Sequence, residues 1–133
     1  MNNINLNIKD TRIVVVDDNE AVVWGITQIL KEKGCIVKSA NTGTEALLLI
    51  RKFIPDIMFI DIKLEDIDGC EIARSVRAYS KFKSTILVAL TGFCDNNTYI
   101  RIEKAGFSKL LLKPFYISTL EETVAELIHS RSV

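Results

Sequence analysis

Four short runs in this chain are almost wholly apolar: residues 13–16, 57–60, 86–90 and 110–112. A strand with one wet face alternates apolar and polar side chains, so a run without alternation needs cover on both faces. A weaker run at 35–38 fits an edge strand. Between the runs lie segments with helical signals. The first spans 20–33 and stops at Gly34; the second spans 43–53 and stops before Pro55; the third spans 69–79. The fourth starts near Asp95 as N-cap and ends at Gly106, and the fifth follows Pro114, with Ser118 or Thr119 as its cap. Strands alternating with helices give repeated βαβ units. The expected fold is therefore α/β, a three-layer doubly wound (βα)5 with parallel strand order 2-1-3-4-5.

Composition bounds the rest. A chain of 133 residues is one domain, expected over 12–130, with 1–11 as a disordered or extended segment. Formal net charge is zero, which argues against nucleic acid or an anionic membrane as the main partner. Cys35, Cys70 and Cys94 lie far apart without metal-ligand spacing and read as thiols of a reducing compartment. No apolar run approaches the roughly 20 residues of a membrane span. The polar start, Met1 to Lys9, lacks a signal-peptide core, so the expected location is cytoplasmic.

In an open parallel sheet, ligands bind beyond the carboxyl ends of the strands where the strand order reverses, here between strands one and three. Strand one ends in Asp17-Asp18 and strand three in Asp61. Strand four delivers Thr91 to the same edge, and strand five delivers Lys113. Each alone is an ordinary strand exit, and Asp is a common turn residue. Together, three crowded carboxylates require a cation or a raised pKa. All-oxygen donors without His or Cys favour a hard ion, and Mg²⁺ binds carboxylates together with phosphate oxygens. Lys113 and Thr91 could then neutralise a phosphoryl group in flight, with a carboxylate as nucleophile.

These residues resemble the receiver domain of bacterial two-component response regulators. The matching pieces are Val16-Asp17-Asp18-Asn19, Ile60-Asp61, Asp68-Gly69, Ala89-Leu90-Thr91-Gly92, Ala105-Gly106 and Lys113-Pro114-Phe115. The resemblance implies a flavodoxin-like receiver fold with Asp61 as phosphoacceptor from a histidine kinase or histidine phosphotransfer protein. It implies Mg²⁺ held by Asp17, Asp18, Asp61 and the Lys63 backbone carbonyl, Thr91 and Lys113 beside the phosphate, and a cis Lys113–Pro114 peptide. Such a protein catalyses only its own phosphorylation and slow dephosphorylation. A Phe at 93 is expected to slow that hydrolysis.

The chain departs from the family pattern in three places. Glu65 stands where proline is usual, which should loosen that loop. Leu110 stands where a switch aromatic is usual. The third is that no output domain is expected before the chain ends at Val133. On the first helix, an apolar stripe of Val22, Ile26, Ile29 and Leu30 would leave Val23 and Trp24 as a docking anchor for the phosphodonor. The expected oligomeric state is monomer or weak homodimer. His129 is expected to be solvated. The alternatives are a phosphate-independent interaction module, a Mg²⁺-dependent phosphatase and a flavin binder. Lys63, two residues after Asp61, argues against the phosphatase, and the acidic loop 17–20 against the flavin binder.

Overall fold

The computed structural model describes residues 7–131. Five parallel strands lie in the order β2-β1-β3-β4-β5. They are β1 Arg12–Val16, β2 Ile36–Ala40, β3 Ile57–Asp61, β4 Ile86–Thr91 and β5 Lys109–Leu112. The helices between and after them are α1 Glu20–Glu32, α2 Gly43–Leu49, α3 Gly69–Arg77, α4 Asn96–Ala105 and α5 Ile117–Arg131. This is the expected three-layer (βα)5 arrangement.

The three central runs, 13–16, 57–60 and 86–90, have the cause proposed for them, whereas the fourth lies on edge strand β5 and leaves Leu112 exposed. In β3, Ile57 and Phe59 face one core with Val23, Leu30 and Leu120, while Met58 and Ile60 face a second with Ala46, Ile72 and Ile102. The sheet thus separates a core under α1 and α5 from one under α2, α3 and α4. Parallel registers such as Val16↔Ile60 and Asp61↔Leu90 bring the strand ends level along one edge. Among the described residues, no helix is long and apolar enough to cross a membrane.

Four expectations are corrected. Residues 7–11 are not set apart from the domain: Ile8 is 1% exposed, packed in the α1–α5 core, and its carbonyl accepts from Cys35 Sγ. The rest of that segment, 1–6, lies outside the described residues. Helix α2 ends at Leu49, and Arg51 and Lys52 continue only as three-residue turns onto the Leu48 and Leu49 carbonyls. Ser118 and Thr119 do not cap α5. Leu120 already donates its N–H to the Tyr116 carbonyl, so both lie inside the first turn. Finally, Val23 is buried and is no surface anchor, whereas Trp24 beside it is 67% exposed.

Candidate functional site

β1 ends where Asp17 donates its N–H to the Ala40 carbonyl of the neighbouring strand, at 3.2 Å. From there the chain turns into α1, whose N-cap is Asn19; its side chain accepts from the N–H groups of Ala21 and Val22. The turn aims Asp17 inward and leaves Asp18 in solvent. β3 ends in Asp61, and carboxylate oxygens of Asp17, Asp18 and Asp61 all lie within 4.8 Å of one another. The crevice inferred from strand order is therefore present.

Its three carboxylates are unequally compensated. Asp17 is fully buried, and one of its oxygens accepts the Asn19 N–H at 2.9 Å. The other meets Lys113 Nζ at 2.6 Å. Asp61 is also buried, but its Oδ2 lies 3.7 Å from Lys113 and its Oδ1 accepts only a 3.3 Å bond from the Lys63 N–H. Burial, followed by the charge of Asp17, raises the Asp61 carboxyl to about 6 against the opposing pull of Lys113 and the Lys63 N–H. Asp61 is thus the carboxylate with unspent acceptor capacity and an unmet need for positive charge.

Those residues fit a divalent cation. The donors are all hard oxygens, they come from two strand tips, and the half-buried Lys113 ammonium beside them is already directed chiefly at Asp17. Thr91 is at the same edge, where its carbonyl accepts the Lys113 N–H at 2.8 Å. Its hydroxyl stays within its own loop, donating to the Phe93 carbonyl at 2.9 Å and accepting the Phe93 N–H at 3.3 Å. The Lys113–Pro114 peptide is cis.

A family model described as the response regulator receiver domain matches residues 13–125. The chain belongs to this family. The receiver is 35% identical to the transcriptional regulatory protein TrcR of Mycobacterium tuberculosis, over 87% of this chain and 43% of that protein. It thus spans less than half of TrcR. It is 25% identical to the polar-differentiation response regulator DivK of Brucella ovis, over 84% of this chain and 91% of that one. Among solved structures, chemotaxis response regulator CheY4 of Vibrio cholerae superposes with a TM-score of 0.85 at 26% identity, covering 90% of this chain and 99% of that one.

Three features of the receiver's site were given no role from the sequence. Gly69 allows a close approach, since a Cβ there would lie 2.5 Å from the Asp61 carbonyl oxygen and 2.7 Å from Ile62 Cα. Asp68 N-caps α3 and pairs with Arg101 of α4 at 3.0 Å. Asp66 accepts three hydrogen bonds from Gly43 and Thr44 at the start of α2. The Asp-Gly pair before a helix signals the first two features; nothing local signals the third. The loop around Glu65 is consequently fastened rather than loose. Leu110 is half-buried against the α2–α4 core. Phe93 and His129 are exposed. Beside the site, a groove of about 570 Å³ runs between α1 and the β5–α5 turn, lined among others by Val22, Gly25, Ile26, Pro114 and Phe115.

Proposed function

We propose that this receiver accepts a phosphoryl group on Asp61 from a histidine kinase or histidine phosphotransfer protein, in a Mg²⁺-dependent reaction, and thereby switches its protein contacts. The observation that carries this reading is the asymmetry of the crevice: both Asp17 oxygens already have a close partner, Asn19 on one and Lys113 on the other, while Asp61 is held only by longer contacts to Lys113 and Lys63. Asp61 is the nucleophile. A bond forms from its carboxylate oxygen to phosphorus as the bond from phosphorus to the donor nitrogen breaks, leaving an acyl phosphate.

Asp17, Asp18, Asp61 and the Lys63 carbonyl would hold Mg²⁺, which supplies charge neutralisation for the phosphoryl oxygens. Lys113 would contribute a second positive charge, and Thr91 a hydroxyl once it releases the Phe93 carbonyl. Trp24, with the groove beside Gly25, is the docking surface for the phosphodonor. Its exposure, and the open space where a Gly25 side chain would stand, favour close approach of a partner helix.

The test is incubation with a small phosphodonor and Mg²⁺, followed by intact mass measurement. Wild type gains one phosphoryl group; Asp61→Asn gains none, and wild type without Mg²⁺ gains far less. Equal uptake by Asp61→Asn would end this reading.

A further inference from the structure

The loop from β3 to α3 is closed at its base and fastened at its tip. At the base, Gly69 donates its N–H to the Ile62 carbonyl at 2.9 Å, and Ile62 donates to the Leu90 carbonyl at 3.0 Å. At the tip, Asp66 Oδ1 accepts the Gly43 N–H at 2.9 Å, while Oδ2 accepts the Thr44 N–H at 3.0 Å and the Thr44 hydroxyl at 2.9 Å. Ile67 packs under the same turn, so tightly that a Cβ on Gly43 would come within 2.9 Å of it. Helix α2 is itself fixed in the core by Ala46. Lys63, Leu64 and Glu65 therefore span two fixed points, the end of β3 and the start of α2.

We infer that Asp66 is a positioning residue for the metal site, setting the direction of the Lys63 carbonyl by holding the loop tip on α2. The inference rests on the Mg²⁺ reading given above. A backbone carbonyl has no side-chain torsions to adjust; its direction follows from the backbone between its two anchors. Mg²⁺ demands near-octahedral geometry, whereas Ca²⁺ accepts variable geometry and ligand number. Releasing the tip therefore penalises Mg²⁺ more than Ca²⁺. Mere loss of a negative charge weakens both ions alike, and Glu65, exposed in the same loop, offers that control.

The experiment is calorimetric titration of Mg²⁺ and of Ca²⁺ into the full chain as wild type, Asp66→Ala, Glu65→Ala and Thr44→Ala, each checked for native circular dichroism. Asp66→Ala is expected to raise the Mg²⁺ Kd roughly tenfold, the scale of an outer-shell change, and the Ca²⁺ Kd by clearly less. Thr44→Ala, which removes one bond of the three, shifts the Mg²⁺-to-Ca²⁺ affinity ratio the same way by a smaller factor and serves if Asp66→Ala fails to fold. Glu65→Ala leaves the ratio unchanged. An unchanged ratio in both Asp66→Ala and Thr44→Ala, or an equal shift in Glu65→Ala, overturns the inference and leaves the metal reading intact. Failure of wild type to bind Mg²⁺ overturns the metal reading, and this inference with it.

Discussion

Two loops at the carboxyl edge of the sheet flank the acceptor region, and they are mounted differently. The loop after β3 is bonded to two surface helices: Asp66 reaches α2, and Asp68 reaches Arg101 on α4. The loop after β4 is held by local bonds, with Thr91 paired to Phe93 and Asp95 capping its own helix at Thr98. Gly69 in the first loop has no room for a methyl group; Gly92 in the second has nothing within 4 Å of one. The first loop is a fixed platform next to Asp61. The second can be rebuilt cheaply, and it carries Thr91, whose hydroxyl is proposed above to turn toward a phosphoryl group.

Substitutions at the two glycines probe this contrast most strongly. Gly69→Ala drives a methyl group into backbone atoms and should cost about 3 kcal/mol in urea unfolding. Gly92→Ala, at a glycine without positive φ, should be neutral or stabilise by up to about 1 kcal/mol through the unfolded chain. Equal costs would erase the distinction between the loops. A smaller effect separates their capping residues. Asp68→Ala loses an N-cap and a partly exposed ion pair, about 1.5 kcal/mol together, and should destabilise more than Asp95→Ala, which loses only a cap. A double-mutant cycle with Arg101→Ala isolates the cross-helix part.

The smallest effect is pH-dependent. Hydrogen bonds from the Thr44 and Gly43 N–H groups hold the exposed Asp66 carboxyl at about 2, below its ordinary 3.8. A carboxyl whose folded pKa is depressed stabilises the fold above its unfolded value and loses that contribution as pH falls through the folded one. The urea midpoints of wild type and Asp66→Asn should therefore differ at pH 6 and converge as pH falls from about 4 toward 2. A gap as wide at pH 2 as at pH 6 would mean the platform is not held by this carboxylate.

Legibility in the sequence followed burial symmetry. Central strands β1, β3 and β4 are covered on both faces, so their apolar runs located them within a residue or two. Edge strand β2 buries only Val37 and Ala40, and its span shifted by a residue at the start and two at the end. The facing of α1 was misphased because Ile26 and Leu30 fit two helical stripes; packing selected the one containing Val23. The acidic cluster was readable because strand order alone determines which strand tips meet. The Asp66 strut was not, since its partners stand 22 and 23 residues earlier and no local pattern couples them.

The acceptor crevice joins Asp17 to Lys113 across 96 residues of chain. Its halves come from the first strand and from the turn after the last, so no fragment short of the complete sheet can assemble it. On the function proposed above, competence to be charged with phosphate therefore doubles as a certificate of finished folding, because a copy without the turn after β5 lacks the Lys113 half of the crevice.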